Sequence, residues 1–292
     1  MIFLDNLING LSLGSIYAII ALGYTMVYGI AKMLNFAHGD IIMVGAYIAF
    51  SGMQYWGFPP VLAILAAMVV CTLLGITIEG LAYRPLRQAT SLAVLITAIG
   101  MSYLLQNLAL MIWGANPNFF PTTFINSGSI RLGQLNITHS TLITILANIV
   151  IMISLTLFTA KTKMGKAMRC VSEDRGAAEL MGINVNRTIS VTFAIGSALA
   201  AIAGVLLCSS YPLLQPTTGS MPGIKAFTAA VFGGIGSIPG AMLGGVLLGV
   251  IEIFGKAYIS TEVGDAIVFA VLIIVLLVRP AGLLGKPIRE KV

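Results

Sequence analysis

Charged residues are scarce in this sequence. They make up 9% of the 292 residues, while hydrophobic residues make up 58%, and soluble domains contain about 25% charged residues. This deficit excludes a water-soluble core. Several uncharged runs exceed the roughly 18 apolar residues that a bilayer-spanning helix needs. The composition therefore predicts an all-α fold, a polytopic transmembrane helical bundle.

Residues that carry chemistry are also few. The three cysteines are too scattered for a disulfide framework or a metal site, and His38 and His139 form no catalytic grouping. The phosphate-binding loop G-x-x-x-x-G-K-[ST] is absent, because Ala167 follows Gly165-Lys166 and Pro287 follows Gly285-Lys286. We therefore expect no catalytic residue, no metal site and no bound ATP, so the chain is not expected to be an enzyme. Energy for active transport would come from a partner or an ion gradient.

The net charge of +6 does not indicate nucleic-acid binding, because basic and aromatic residues are not interleaved. The basic residues cluster in Arg84–Arg87, Lys161–Arg187 and the tail that holds Lys286, Arg289 and Lys291. Basic loops face the cytoplasm, so these segments are predicted to be cytoplasmic and the N-terminus periplasmic. Asp5 replaces the basic residue of a signal peptide, which predicts a retained first span.

About eight spans are predicted, with broken or re-entrant helices in the C-terminal third. The apolar segments are Leu7–Ala31, Ile41–Ser51, Val61–Ile78, Leu92–Trp113, Leu142–Ala160, Ile189–Tyr211, Lys225–Ile251 and Val263–Val278. Small residues recur along the first of them, which predicts a helix buried in the bundle. The seventh contains six glycines and Pro239 between Gly233 and Gly245. We expect two half-spans or a re-entrant segment meeting at Gly236–Gly240.

The densest polar cluster near a span end is Asn35-Phe-Ala-His-Gly-Asp40. Ionisable groups at membrane depth are candidate functional sites. In the alternative, His38 and Asp40 lie at the cytoplasmic interface, pair locally, and Asp40 caps the next helix. Both interpretations remain open from the sequence.

Other ionisable residues suggest local pairs. Glu252 and Lys256 are four residues apart and are predicted to pair on a helix, and Glu79 is expected to pair with Arg84 or Arg87. Lys225 either meets an anionic group in the pathway or, as we expect, extends to the outer interface.

The long polar stretch Lys161–Arg187 is predicted to contain a short helix. Ser172 is the expected N-cap, with Glu173 and Asp174 in the first turn and Gly182 at the C-cap. Between them, small and apolar side chains are expected to be exposed: Ala177, Ala178, Leu180 and Met181. Because aromatic anchors are absent, a groove in a partner protein fits better than a lipid surface.

Three motifs together resemble one family. They are Gly29–Asp40 (GIAKMLNFAHGD) with the preceding Asn9–Ala18 (NGLSLGSIYA), Asp174–Ile183 (DRGAAELMGI) and Lys225–Ala241 (KAFTAAVFGGIGSIPGA). The chain resembles the LivH-type branched-chain amino acid ABC permeases over nearly its whole length. The resemblance implies a single permease domain, 1–292, with a cytoplasmic coupling loop at 161–188. It also implies a bacterial inner-membrane importer with a homologous second permease, two cytosolic ATPases that bind ATP and Mg, and a periplasmic substrate-binding protein.

The resemblance also implies roles for two sets of residues. The coupling helix in the ATPase groove would comprise Glu173, Asp174, Arg175, Gly176, Ala177, Ala178, Glu179, Leu180, Met181 and Gly182. The substrate pathway would be bordered by Asn35, His38, Asp40, Gly233, Gly234, Gly236 and Ser237. The chain has Arg175-Gly-Ala-Ala where other ABC importers have Glu-Ala-Ala, which does not put coupling in doubt within this branch.

The favoured function is import of leucine, isoleucine and valine by alternating access driven by partner ATPases. The same kind of importer for urea or short amides is an alternative, because those permeases look similar. An ion-coupled secondary transporter is less favoured, since almost every charge falls at a span end. A membrane scaffold without transport is disfavoured by the glycine and proline breaks within apolar segments.

Overall fold

The computed structural model describes residues 2–121, 128–132 and 135–285, and the predicted basic tail with Lys286, Arg289 and Lys291 lies outside them. The helices are α1 Ile2–Ala31, α2 His38–Gln54, α3 Pro60–Ile78, α4 Ser91–Trp113, α5 His139–Lys161, α6 Lys163–Glu173, α7 Arg175–Leu180, α8 Val185–Ser210, α9 Ser220–Gly233, α10 Ile238–Tyr258 and α11 Gly264–Val278. A π-helical turn, Glu79–Tyr83, extends α3. Two small antiparallel pairs join β1 Asn118–Phe119 to β4 Leu213–Leu214 and β2 Ser129–Leu132 to β3 Leu135–Thr138.

The predicted helical membrane bundle is confirmed. Six helices in the described part of the chain, α1, α3 with its π-turn, α4, α5, α8 and α10, are long and apolar enough to cross a membrane. Apart from α6 and α7 in the polar stretch, the remaining helices are shorter: α2 has 17 residues, α9 has 14 and α11 has 15. The predicted count of about eight spans is therefore approximate, because α2, α9 and α11 are each shorter than the roughly 20 residues of a full span.

Helix α1 is the buried centre of the bundle, with 94% of its most apolar window buried. It packs antiparallel to α10: Gly10 faces Val250, Gly14 faces Val246 and Gly249, and Ala18 faces Gly245. A Cβ on Gly10 would lie 2.9 Å from the Cα of Val250, so the two backbones are in direct contact. The predicted burial of the first span is thus correct, and small residues are its physical cause.

Helix α8 forms a second close contact, with α2 and α3. A Cβ on Gly45 of α2 would lie 2.6 Å from the Cα of Ala201, and one on Gly75 of α3 would lie 2.7 Å from the Cβ of Ser197. The other side of α8 reaches α1, where Gly196 faces Gly23. The helices α1, α2, α8 and α10 therefore form a compact centre, while α3, α4 and α5 keep outward apolar faces.

The chain leaves helical geometry after α1 and re-enters it inside the bundle. Lys32 ends α1 with a φ of 52°, a left-handed conformation that is costly for a residue with a Cβ. Helix α2 then begins at His38, whose ring contacts Gly23 and Tyr24 of α1. Tyr24 lies seven residues, or about 10 Å, before the end of α1, so the first turn of α2 is well inside the bundle.

The Gly-rich segment forms a helical hairpin. Helix α9 ends at Gly233, and Gly234 and Gly236 turn the chain with φ of 108° and 93°. The Ser237 hydroxyl then accepts a hydrogen bond from the Gly240 N–H at 3.2 Å and caps α10. The predicted break in the C-terminal third is thus confirmed, and α9, with 14 residues, has the length of a half-span. Helix α10 has 21 residues, so the expectation of a half-span is wrong for α10, because Pro239 lies in its first turn, where proline is tolerated.

We predict that Gly249→Ala destabilises the bundle, because its Cβ would collide with the backbone of Gly14, which cannot move aside like a side chain. Overpacking typically costs about 1–3 kcal/mol. The thermal unfolding temperature of the purified protein in detergent measures the effect. Gly100→Ala on α4 is the matched control, since nothing lies within 4 Å of its new Cβ. Equal unfolding temperatures for the two variants would contradict the close α1–α10 contact.

Candidate functional site

The short helix α7 lies in the polar stretch, as predicted, but begins two residues later. Its N-cap is Asp174, whose carboxylate accepts a hydrogen bond from the Ala177 N–H at 3.0 Å. Ser172 was predicted to be the cap, yet it lies within α6 and donates to the Arg169 carbonyl. Gly182 follows the helix with a φ of 79°, which confirms the predicted glycine C-cap.

The exposed surface of α7 is apolar at its C-terminal end. Leu180 is 90% exposed and Met181 82% exposed, while Ala178 is only 3% exposed. The expectation that Ala178 is exposed is therefore wrong, because its side chain faces the bundle. Leu180 and Met181 are large apolar groups at a polar end of the molecule, which is typical of a surface that another protein covers.

Arg175 connects α7 to the centre of the bundle. Its guanidinium donates a hydrogen bond to the carbonyl of Ala31, the last residue of α1. The carbonyls at a helix C-terminus lack helical partners and carry partial negative charge, so a cation is favourable there. Burial, with the nearby charge of Arg87 adding to it, lowers the pKa of Arg175 from its ordinary value. This long-range contact was not visible in the sequence.

A second polar connection joins the end of α3 to the start of α8. Glu79 forms an ion pair with Arg87 and not with Arg84, which decides between the two predicted partners. The Ser190 hydroxyl donates to Glu79 at 2.5 Å, and Arg87 also donates to Asn186. Glu79 is 1% exposed, so the network neutralises a buried carboxylate.

The predicted polar cluster Asn35–Asp40 lies inside the bundle. Asn35, His38 and Asp40 are 3%, 1% and 2% exposed. Asn35 accepts a hydrogen bond from the Tyr83 hydroxyl at 2.9 Å. His38 and Asp40 do not pair, and the N-cap of α2 is Ala37, without a side-chain hydrogen bond. The alternative with an interfacial pair and an Asp40 cap is therefore wrong, because the segment folds back between α1 and α9.

Asp40 meets α4 and α9. The Gln106 amide donates to the Asp40 carboxylate at 2.9 Å and lies 3.3 Å from the hydroxyls of Ser102 and Ser220. Behind these groups, the backbones of Gly39 and Gly219 touch. The first turns of α2 and α9 therefore converge on one polar junction, which we call the Asp40 junction (Asp40, Ser102, Gln106 and Ser220).

The Gly-rich pathway candidates lie elsewhere. Gly233, Gly234, Gly236 and Ser237 are at the far end of α9, thirteen residues or about 20 Å from Ser220. There, the Gly233 carbonyl accepts a hydrogen bond from the Leu284 N–H at 2.9 Å. The structure thus does not bring this group together with Asp40.

A buried ion cluster joins α9, α10 and α11. Lys225 contacts Glu252 at 2.7 Å and Asp265 at 2.6 Å, and Lys256 contacts Glu252 at 2.5 Å. The Tyr17 hydroxyl donates to Glu252 at 2.9 Å. The predicted Glu252–Lys256 pair is confirmed, whereas the expectation that Lys225 extends to the outer interface is wrong, since Lys225 is 6% exposed. No sequence signal linked Lys225 to partners 27 and 40 residues away.

Comparison with known proteins gives consistent results. A family model described as branched-chain amino acid transport system permease component matches residues 6–276. The high-affinity branched-chain amino acid transport system permease protein LivH of Salmonella typhimurium is 46% identical over 99% of this chain and 98% of its own length. BraD of Pseudomonas aeruginosa, with the same description, is 45% identical over the same shares.

A solved structure has a similar fold. PsaBC from Streptococcus pneumoniae in complex with Fab matches with a TM-score of 0.50 over 96% of this chain and 93% of that chain, at 16% sequence identity. This likeness concerns the fold alone. With the family match across most of the sequence and two relatives of nearly equal length, this chain belongs to the branched-chain amino acid transport system permease family.

Proposed function

We propose that this chain is the permease of an ATP-driven importer that moves leucine, isoleucine and valine across the bacterial inner membrane by alternating access. The observation that carries the proposal is 45–46% identity over 99% of the chain to permeases of high-affinity branched-chain amino acid transport. The chain is a multi-pass membrane protein, and the end that bears α6 and α7 faces the cytoplasm in this proposal. The N-terminus of α1 is then periplasmic.

The partners follow from the same proposal. A homologous second permease completes the pathway, a periplasmic protein delivers the substrate, and two ATPases bind ATP and Mg and supply the energy. The chain itself is a transport subunit and not an enzyme. Asn35, His38 and Asp40 border the pathway, and so do Gly233, Gly234, Gly236 and Ser237 nearer the α6–α7 end.

Helix α7 is the element that receives movement from an ATPase. Leu180 and Met181 offer an exposed apolar surface to a groove, and Arg175 ties the same helix to the carbonyl of Ala31. A charge-assisted hydrogen bond of this kind contributes about 1.5–3 kcal/mol. Displacement of α7 is thereby applied to the end of α1, next to the non-helical residues that lead to Asp40.

Urea and short amides remain the alternative substrates. They are uncharged, whereas a branched-chain amino acid carries an ammonium and a carboxylate.

An ion-coupled secondary transporter is the less favoured alternative. Lys225 and Glu252 are buried away from the span ends, but they are paired with each other, which suits a structural role.

The first prediction from the proposed function concerns the substrate. The proteoliposomes contain this chain, its second permease and both ATPases, and the binding protein is supplied with them. Labelled leucine should accumulate only when ATP is present on the side of the membrane where the ATPases are bound. Labelled urea, added with the same partners, is the control and should not accumulate. The proposal would be contradicted if the complex transported urea but not leucine, or if leucine uptake continued without ATP.

The second prediction concerns docking. Leu180→Glu should release the ATPases, because a carboxylate replaces an exposed apolar side chain that a partner groove would desolvate. Co-purification of the ATPases with the permease measures it. Cys170→Glu is the matched control, since Cys170 is exposed on α6 and gains the same charge. Full ATPase retention by the Leu180 variant would remove α7 as the docking helix.

The third prediction concerns transmission. Arg175→Ala should leave the ATPases bound but reduce leucine uptake per ATP hydrolysed several-fold, because the hydrogen bond to α1 is lost while the Leu180–Met181 surface remains. Arg175→Lys should fall between this variant and the wild type, since an ammonium can still reach one carbonyl. An unchanged ratio of uptake to hydrolysis in the alanine variant would show that the contact does not transmit movement.

A further inference from the structure

Asp40 is the exception among the buried carboxylates. Of the side chains that the structure describes, the carboxylates of Asp40, Glu79 and Glu252 are buried. Glu79 is paired with Arg87, and Glu252 with Lys225 and Lys256. Asp40 has no ion-pair partner among the described residues and accepts a hydrogen bond from the neutral Gln106 amide. Burial of an unpaired charge is unfavourable by several kcal/mol, so a cation beside Asp40 would stabilise its ionised form.

The position of Asp40 is central. It lies eleven residues, or about 16 Å, from Ser51, which accepts a hydrogen bond from Trp113 at the end of α4. On the other side, its neighbour His38 packs beside Tyr24, about 10 Å before the end of α1. With an apolar layer of about 30 Å, Asp40 is near mid-depth. A carboxylate at this depth is a candidate functional residue.

The Asp40 junction reaches the surface of the chain. Ser102, Gln106 and Ser220 are partly exposed, although Asp40 beneath them is not. A polar group at mid-depth is unfavourable against lipid. This surface therefore faces the pathway or the second permease, and displacement of the Gln106 amide would open Asp40 to it.

Apolar side chains surround the polar groups. On α4, Tyr103 and Leu110 lie three and four residues from Gln106, on the same face, and are 63% and 43% exposed. On α9, Met221 and Ile224 are 45% and 43% exposed. A small polar centre with an apolar rim matches a molecule that has one charged end and a branched aliphatic side chain.

We propose that the Asp40 carboxylate binds the ammonium group of the amino acid as it passes mid-depth, in the place that the Gln106 amide nitrogen takes in this structure. The inference rests on the proposed function, and it favours an amino acid over urea and neutral amides, which can donate a hydrogen bond to Asp40 but carry no positive charge. An ammonium brings a full positive charge to the carboxylate, which the neutral Gln106 amide that it replaces does not. Substrate binding thus places a cation beside a buried carboxylate that has no ion-pair partner among the described residues.

The test uses the reconstituted complex described above and measures leucine uptake and ATP hydrolysis together. Asp40→Asn keeps the size and the acceptor oxygen but removes the charge. It should lower leucine uptake at least tenfold, while the binding protein still stimulates ATP hydrolysis. Asp40→Glu keeps the charge and should restore most of the uptake. Glu262→Gln, the same chemical change at an exposed site, is the control and should transport normally.

The outcomes separate this inference from the proposed function. Failure of the wild-type complex to accumulate leucine overturns the proposed function. Wild-type uptake by Asp40→Asn, with an active wild-type complex, overturns only the role of Asp40. Loss of both uptake and stimulated hydrolysis in Asp40→Asn and Asp40→Glu alike also overturns it, because a structural role would then explain the defect.

A second measurement needs no variant. Dicyclohexylcarbodiimide, an apolar reagent that modifies membrane-buried carboxyl groups, is added to the wild-type complex, and Asp40 modification is measured by mass spectrometry. Leucine with its binding protein should protect Asp40 severalfold, and urea should not. Equal modification with and without leucine would overturn the inference.

Discussion

Close contact between backbones around α1 is the constraint on which the rest of the structure depends. In lipid, apolar side chains gain little by moving from acyl chains to protein, so helices associate through packing at small residues. Gly10 and Gly14 on α1, with Gly245 and Gly249 on α10, bring the two helices into direct contact. Because α1 is then enclosed by protein, the non-helical residues that follow it can lie inside the bundle, where their polar groups find protein partners.

The buried carboxylates show how charge is distributed within this frame. Glu79 with Arg87 joins α3 to α8 at the α6–α7 end, and Glu252 with Lys225 joins α10 to α9 in the opposite half. Removing one member of such a pair typically costs about 3–5 kcal/mol, since the other charge stays buried. These two clusters therefore hold helices together. Asp40 differs, because its hydrogen-bond partner Gln106 is a neutral amide and brings no positive charge.

The features that could be predicted from the sequence are those with a local cause. Long apolar runs specify spans, Gly182 specifies a helix end, and the spacing of Glu252 and Lys256 specifies a pair on one helix face. Ser172 and Asp174 are both good N-caps, and the choice between them depended on where α6 ends, which the local pattern does not determine. The contacts of Lys225, Gln106 and Arg175 join residues 27 to 144 positions apart. Such partners depend on helix packing, for which a single sequence carries no direct signal.

The arrangement of rigid and irregular segments explains how a movement at α7 would reach Asp40. The close contacts with α10 oppose sliding of α1 along its axis, so a displacement applied to the Ala31 carbonyl is taken up where helical hydrogen bonding stops. That place is Lys32, which is already in a left-handed conformation, and the five residues after it. They connect directly to the first turn of α2, so their displacement changes the position of Asp40 relative to Gln106. In the proposed importer, a short path of nine residues from Ala31 to Asp40 thus links the ATPase-facing helix to the substrate.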